Sequence, residues 1–306
     1  MLKVSSDRPT QPHIATLIAN PNYPILTLAC ADKAYRALNA SHLYWLSDNI
    51  ACDILLPDSL PHEEARLLLQ NALNGLPIDI IIQPQEGRRK KLLLADMDST
   101  MIEQECIDEL GAAIGMGEEI ANITHRAMHG EIAFEPALRE RVALLKGLSL
   151  TTIAQLIKTR LTLRAGGKTL LATMRHHGGY SALVSGGFTL FTANIAQTLG
   201  FDEHHANQLS HDGHYLDGEI VEPILGQQAK LDTLHALCRK RGLSPQNAMA
   251  VGDGANDLAM LQAAGAGVAL HAKPIVAQAA SMRIDHGDLS ALLYIQGYRQ
   301  SDFVSQ

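Results

Sequence analysis

Residues 92–100, Leu-Leu-Leu-Ala-Asp-Met-Asp-Ser-Thr, are the stretch that decides the fold of this chain. The four apolar residues that begin it are typical of a short strand covered on both faces of a parallel sheet. Asp96 and Asp98 follow directly, where turning backbone can aim both carboxylates at one point. Because neighbouring carboxylates repel each other, the pair predicts a bound cation. An acidic turn that caps the next helix is the alternative for this motif alone.

A second acidic turn follows another strand-like segment, residues 248–251. It reads Gly252-Asp253-Gly254-Ala255-Asn256-Asp257. Asn256 or Asp257 could simply cap the following helix. In one parallel sheet, however, two strands that end in paired acids place hard oxygen ligands at one edge. Such a site suits Mg²⁺ and leaves positions for water and a substrate phosphate.

Two further segments are candidates for positive character at this edge. Val184-Ser185-Gly186-Gly187 follows a strand-like segment and precedes a helical stripe, so a hydroxyl and free backbone amides would meet an anion there. An ordinary strand-to-helix turn is the better explanation of this segment on its own. Lys230 begins a helix and is a candidate counter-charge, although a lysine near a helix start is usually solvated.

Strand and helix patterns alternate from residue 91 onward. The strand-like segments are 92–95, 182–184, 248–251, 268–270 and 283–285, and the helical segments are 188–199, 231–238 and 258–264. This alternation predicts an α/β fold, with a doubly wound parallel sheet and the chemistry at the carboxyl ends of its strands. Apolar residues at helical spacing within 102–160 predict a helical insertion.

The first 85 residues predict a small α+β module of their own. Residues 25–30, 51–56 and 78–82 are strand-like, and residues 67–73 are helical. The polar residues 84–90 predict a linker to the second unit.

Composition excludes several classes of protein. A hydrophobic content of 46% excludes general disorder, and a net charge of -7 argues against binding to nucleic acid or an anionic membrane. No apolar run approaches the ~20 residues of a membrane span, and Met1–Pro12 lacks the apolar core of a signal peptide. No two of the four cysteines form a Cys-x-x-Cys pair, which disfavours a zinc knuckle. We therefore expect a cytoplasmic protein without a nucleic-acid or membrane partner.

The order of these motifs resembles the haloacid dehalogenase-like phosphatase superfamily. The pattern is D-x-D-x-T at 96–100, then Ser-Gly-Gly at 185–187, then Lys230, then G-D-G-x-N-D at 252–257. The resemblance spans residues 91–298 and implies a Rossmann-like core with a helical cap inserted at about 102–175. Residues 1–85 resemble an ACT-type regulatory or dimerisation module. Whether that module binds serine, forms a homodimer or does neither stays open.

The resemblance implies a role for each acidic residue. Asp96 would be the nucleophile and form an aspartyl-phosphate. Asp98 would be the general acid and then the general base, which requires surroundings that differ from those of Asp96. Mg²⁺ would be held by Asp96, the backbone carbonyl of Asp98, Asp253 and waters.

The resemblance also implies which residues hold the phosphate. Lys230, Ser185, the Gly186 amide and Asn256 would supply the remaining polar contacts. Asp257 would orient Lys230 or a metal-bound water.

Within the insertion, four residues lie at positions where phosphoserine phosphatases of this superfamily carry the residues that recognise the substrate. They are Glu105, Met128, Phe134 and Arg141. The resemblance implies that Glu105 pairs with the substrate ammonium, that Arg141 holds its carboxylate in a two-bond fork, and that Met128 and Phe134 cover the site as part of a mobile cap. The implied substrate is O-phospho-L-serine, hydrolysed to L-serine and phosphate in the last step of L-serine biosynthesis. A solvated helix face is the alternative for the two charged residues.

Three other functions are alternatives to this one. A dehalogenase of this superfamily would not need an acid at position 98, so Asp98 argues against one. A phosphotransferase that passes the phosphoryl group to another alcohol would keep every motif. A non-catalytic amino-acid sensor built on the N-terminal module is disfavoured by the intact acids at both strand ends.

Overall fold

The computed structural model describes residues 12–128 and 131–304, without the side chain of Met128. The strands of this part of the chain are β1 (His13–Ala19), β2 (Leu43–Ser47), β3 (Ala51–Leu55), β4 (Ile78–Pro84), β5 (Leu92–Ala95), β6 (Tyr180–Phe188), β7 (Glu203–His211), β8 (Leu216–Val221), β9 (Ala248–Gly252), β10 (Ala266–Leu270) and β11 (Met282–Ile284). The α-helices are α1 (Leu28–Ala37), α2 (His62–Leu73), α3 (Cys106–Ala113), α4 (Gly117–Met128), α5 (Phe134–Leu144), α6 (Leu150–Arg160), α7 (Gly167–His176), α8 (Thr189–Leu199), α9 (Gln227–Arg241), α10 (Leu258–Ala263), α11 (Pro274–Ala279) and α12 (Ala291–Ile295). None of the helices in the described ranges has the length and apolar content needed to span a bilayer.

The first four strands form an antiparallel sheet in the order β2-β3-β1-β4, with α1 and α2 packed against each other. The β-α-β-β-α-β order is ferredoxin-like, and it agrees with the predicted α+β module. The predicted strand at residues 25–30 is wrong, because Thr27 caps α1 and its hydroxyl accepts a hydrogen bond from the Cys30 N–H at 3.3 Å. A short apolar run can belong to either kind of element, and here the N-cap decides for a helix.

The second sheet confirms the predicted α/β fold. Its order is β11-β10-β9-β5-β6-β7-β8, and the strands are parallel except for β8, which pairs antiparallel with β7. Every residue of β5 is buried, and alternate residues face two different cores: Leu93 packs in one and Leu94 in the other. Since β5 lies between β6 and β9 and pairs in parallel with both, the carboxyl-terminal ends of these three strands lie at one edge of the sheet.

Helices α3 to α6 form an insertion between β5 and β6. They pack on one another, and α5 also packs on β8. The ends of the insertion meet where Ile102 pairs antiparallel with Leu163. Helix α7 instead packs on β6 and α8, so the packing favours a cap that ends near residue 163.

One buried carboxylate joins the N-terminal sheet to the core. Asp79 on β4 accepts hydrogen bonds from the backbone N–H groups of Asp285 and Gly287, each at 2.8 Å, and of His286 at 3.2 Å. A carboxylate that receives several backbone donors is well satisfied although it is buried. Strand β4 of the first sheet is therefore bonded to the segment that follows β11 of the second sheet.

Candidate active site

Asp96 and Asp98 lie at the carboxyl end of the central strand. The Asp96 N–H donates to the Val251 carbonyl oxygen at 3.0 Å, so the pairing between β5 and β9 extends to the first acid. Asp96 is buried, whereas Asp98 is half-buried. The Asp98 carboxylate accepts hydrogen bonds from the Cys106 N–H at 2.8 Å and from the Ser185 hydroxyl at 3.1 Å. The two acids therefore have different surroundings, as acid–base chemistry at one site requires.

Lys230 is buried beneath this edge, in the first turn of α9. Its ammonium donates to an Asp96 carboxylate oxygen and, at 2.6 Å, to Asp257. Burial alone would lower the pKa of Lys230, but the two carboxylates outweigh burial and raise it. The lysine therefore carries a positive charge between two carboxylates.

Asp253 follows β9 and comes close to Asp96. It accepts a hydrogen bond from the Thr100 hydroxyl at 3.3 Å, and the Lys273 ammonium lies 3.8 Å from its other oxygen. Burial is the largest cause that raises the pKa of Asp96 and of Asp253. For Asp96 the charge of Asp257 adds to this rise, while Lys230 opposes it. A further cation would favour the ionised form of these acids.

Two charged residues of the insertion face the same cavity. Glu105 accepts a hydrogen bond from the Ser99 hydroxyl at 2.7 Å. Burial, followed by the charge of Asp98, raises the pKa of Glu105 to about 7. Arg141 donates to the Ala137 carbonyl oxygen at 3.2 Å and to the Thr124 hydroxyl at 3.1 Å. An anionic and a cationic side chain thus stand on the cap above the acids.

The cavity between the cap and the sheet edge has a volume of about 330 Å³. Most of the residues predicted for the site line it: Asp96, Asp98, Glu105, Phe134, Arg141, Ser185, Gly186, Asp253 and Asn256. The buried Lys230 and Asp257 lie directly behind Asp96. The side chain of Met128, the last residue of α4, lies outside the described part of the chain.

The Ser-Gly-Gly segment differs from its predicted form. Ser185 and the two glycines belong to β6, and α8 begins only after Phe188. The Ser185 hydroxyl accepts a hydrogen bond from the Gly187 N–H at 2.8 Å. The Phe134 ring lies 3.7 Å from where a Cβ on Gly186 would stand, so a larger residue there would narrow the space under the cap.

A family model described as haloacid dehalogenase-like hydrolase matches residues 93–262. The chain belongs to this family. The match includes both acidic motifs, Lys230 and the whole inserted cap.

Relatives of this haloacid dehalogenase-like hydrolase match most of its length. A phosphoserine phosphatase of Archaeoglobus fulgidus is 40% identical over 231 residues, which cover 75% of this chain and 67% of the relative. A phosphoserine phosphatase of a Polaromonas species is 43% identical over 224 residues, 72% of this chain and 95% of the relative. The crystal structure of a probable phosphoserine phosphatase from Vibrio cholerae superposes with a TM-score of 0.77 at 30% identity and covers 96% of this chain and 88% of that one.

Phosphatases of the haloacid dehalogenase-like family require a divalent metal, and the acids of this chain fit one. Asp96, Asp253 and Asp257 each offer a carboxylate oxygen, and these oxygens all lie within 4.8 Å of one another. Carboxylate oxygens are the ligands that hard divalent cations prefer. Both oxygens of Asp257 accept hydrogen bonds, one from Lys230 at 2.6 Å and the other from the Gly254 N–H at 3.0 Å, whereas Asp96 bonds Lys230 through its Oδ1, so Asp96 and Asp253 are freer to coordinate a metal.

Several residues that contact the site of this hydrolase are absent from the prediction. Ser99 and Thr100 belong to the motif at 96–100, but their hydrogen bonds to Glu105 and Asp253 depend on the local turn. Thr124 and Lys273 line the cavity from distant segments. Helical spacing places Thr124 four residues before Met128 on α4, which is the one sequence signal that could have found it.

Proposed function

We propose that this chain hydrolyses O-phospho-L-serine to L-serine and inorganic phosphate, with Mg²⁺ as its metal. The observation that carries the proposal is the arrangement of Glu105 and Arg141 on the wall of a cavity that Asp96 and Asp98 also line. The substrate carries an ammonium, a carboxylate and a phosphate, and the cavity offers a partner for each. The family membership and the phosphoserine phosphatases that are 40% and 43% identical support the same activity.

Asp96 acts as the nucleophile. One of its carboxylate oxygens attacks phosphorus, the bond between phosphorus and the seryl oxygen breaks, and an aspartyl-phosphate forms. Asp98 gives its proton to the leaving seryl oxygen. It then takes a proton from a water molecule, whose oxygen attacks phosphorus and releases phosphate from Asp96.

The chain holds Asp98 in place for both proton transfers. The Cys106 N–H and the Ser185 hydroxyl bond different oxygens of its carboxylate. These two bonds fix the rotation of the carboxylate, so that it keeps its direction when it gains or loses a proton. Ser185 is itself held by the Gly187 N–H.

Charge on the phosphate is balanced from below the cavity. Lys230 contacts Asp96 directly, and Ser185, the Gly186 amide and Asn256 complete the polar surroundings of the phosphate. Asp96, the backbone carbonyl of Asp98 and Asp253 would hold Mg²⁺, which when bound neutralises phosphate charge and orients the attack. Asp257 keeps Lys230 in position through its 2.6 Å bond.

The cap selects the substrate and excludes water. Glu105 pairs with the ammonium, and Arg141 holds the carboxylate with two parallel donors that a lysine could not supply. Phe134 is 40% exposed at the start of α5 and stands over Gly186. Its ring covers the reacting atoms when the substrate is bound.

The activity is tested by phosphate release from O-phospho-L-serine against a panel of sugar and nucleotide phosphates, with and without Mg²⁺. We expect a preference for phosphoserine that depends on the metal. Equal rates across the panel would contradict the assignment of the substrate. An added acceptor alcohol that becomes phosphorylated in place of water would indicate a phosphotransferase instead.

Arg141→Ala is expected to weaken phosphoserine binding much more than that of para-nitrophenyl phosphate, which has no carboxylate. Loss of a charge-assisted pair costs about 1.5–3 kcal/mol, so we expect KM for phosphoserine to rise by about 10-fold to 100-fold. The matched control is Arg139→Ala on the same helix, whose side chain is 49% exposed and pairs with Glu222 at the surface. An equal rise in KM for both substrates would contradict the proposal that Arg141 binds the substrate carboxylate.

The preference for phosphoserine is expected to depend on pH through Glu105. Below its pKa of about 7, Glu105 gains a proton and loses the charge that attracts the ammonium. We therefore expect the ratio of kcat/KM for phosphoserine to kcat/KM for para-nitrophenyl phosphate to rise with pH through about pH 7. Both substrates carry a phosphate that titrates, so the effect of phosphate titration largely cancels in this ratio. The ratio therefore reports the group that pairs with the substrate ammonium. Glu105→Gln should flatten this profile, and an unchanged profile would exclude the role.

A further inference from the structure

Arg164 lies at the base of the cap and is not used by the proposed mechanism. Its Nε donates to the Thr100 carbonyl oxygen at 3.1 Å, and its Nη2 donates to the Ser99 carbonyl oxygen at 2.8 Å. The planar guanidinium thus bonds two successive carbonyl groups of the turn that follows Asp98. A fork of this kind fixes orientation as well as distance, because its donors are rigidly connected.

The two residues that Arg164 holds face different parts of the site. The Ser99 hydroxyl donates to Glu105 at 2.7 Å, on the side that would bind the ammonium. The Thr100 hydroxyl donates to Asp253 at 3.3 Å, on the side that would hold the metal. Ser99 also has a φ of 54°, a left-handed conformation that non-glycine residues adopt only where the surroundings enforce it.

Arg164 is itself fixed by the segment around it. The backbone N–H of Arg164 donates to the Met101 carbonyl oxygen at 3.0 Å, next to the pairing of Ile102 with Leu163. On the other side, the Leu289 N–H donates to the Ala165 carbonyl oxygen at 3.1 Å. Gly166 has a φ of 80°, and a Cβ on it would stand 2.4 Å from the backbone nitrogen of Ser290, so this contact admits no larger residue. The arginine therefore projects from an anchored segment.

We propose that Arg164 is a positioning residue that holds the Ser99–Thr100 turn, and through it keeps Glu105 and Asp253 in their places. The inference rests on the proposed function for its Glu105 part. Removal of the guanidinium frees two carbonyl groups and lets the strained turn relax. Both hydroxyls then lose their direction, so substrate recognition and metal affinity weaken together.

The test compares Arg164→Met and Arg164→Lys with Arg160→Met, a matched control at the exposed end of α6. For Arg164→Met we expect KM for phosphoserine to rise about 10-fold, since small displacements of positioned groups are costly. We expect the Kd for Mg²⁺, measured by calorimetry on the full chain without substrate, to rise by about 10-fold as well. Arg164→Lys should raise KM and Kd less than Arg164→Met does, because one ammonium can reach one carbonyl group. Arg160→Met should have the KM and the Kd of the wild type.

A wild-type KM and a wild-type Kd in Arg164→Met would overturn the inference, even if the melting temperature fell. If that variant does not fold, Arg164→Lys decides by the same two measurements, and wild-type values in it would overturn the inference equally. A wild-type chain that does not hydrolyse phosphoserine would contradict the proposed function. The Mg²⁺ titration would then still test the Asp253 part of the inference.

Discussion

Asp96→Asn is expected to abolish turnover while the fold remains intact. The amide has nearly the shape of the carboxylate, but it cannot attack phosphorus and form an acyl phosphate. Loss of a nucleophile lowers kcat by about 10⁴-fold or more. Because burial and Asp257 raise the pKa of Asp96, its negative charge is costly in the folded state without metal. The neutral variant should therefore melt at or above the wild-type temperature in EDTA.

Phosphate release and thermal melting test both parts of this expectation. The matched control is Asp217→Asn, an exposed carboxylate that accepts a hydrogen bond from Ser210 and does not line the cavity. It should keep wild-type activity. Activity of Asp96→Asn within tenfold of the wild type would reject the nucleophile assignment, and a large drop in its melting temperature would make any loss of activity ambiguous. A melting temperature equal to that of the wild type, with no activity, isolates the chemistry.

The sequence was sufficient for the part of the site that follows buried strands. Fully apolar runs before Asp96 and Asp253 indicate strands covered on both faces, and parallel strands bring their carboxyl ends to one edge. The order of the strands then brings the acids together: β5 pairs with both β6 and β9. The order of the strands in the sheet depends on how the whole chain folds. The order of the motifs along the sequence indicates it only through the resemblance to the haloacid dehalogenase-like superfamily.

Several strands are absent from the prediction, and two of them lack a strong hydrophobic pattern. Strands β7 and β8 form a hairpin whose residues are largely polar and only partly buried. Strand β1 is mostly apolar and buried but is likewise absent from the prediction. The predicted strand at residues 25–30 is wrong, because the second half of that apolar run begins α1. The hydrophobic pattern of one segment does not show which other element will pack against it. That packing decides whether a short segment becomes a strand or a helix.

Contacts between distant backbone and side chains were also beyond the sequence. Asp79 and Arg164 read as ordinary surface charges, yet each bonds several backbone groups of another segment. The partners of Asp79 and Arg164 are backbone groups, so the amino-acid type at the partner position does not reveal the bond. Any amino acid except proline offers the same N–H, and every one offers a carbonyl group. Only the fold shows that such charges have partners.

Lys230→Met is expected to remove activity and to destabilise the fold. Lys230 bonds two buried carboxylates, Asp96 and Asp257, and methionine fills a similar volume without a charge. Breaking a buried ion pair by removal of one partner costs about 3–5 kcal/mol. The loss should be greatest in EDTA and smaller in Mg²⁺, because a bound cation would replace part of the missing positive charge. Lys240→Met on the same helix is the matched control, since its ammonium is exposed and lies 3.5 Å from Glu203.

The pH dependence of this destabilisation identifies its cause. The pKa of Asp96 stands above its ordinary value even with Lys230 present, and removal of the lysine removes the charge that opposes this rise. A carboxyl group whose pKa is raised by folding binds its proton more tightly in the folded state, so folding stability falls as pH increases through that pKa. Urea unfolding of Lys230→Met in EDTA should therefore show a stability closest to the wild type at acid pH, and a deficit that grows toward neutral pH. A deficit that is equal at every pH would mean that lost packing, and not unpaired charge on Asp96, destabilises the variant.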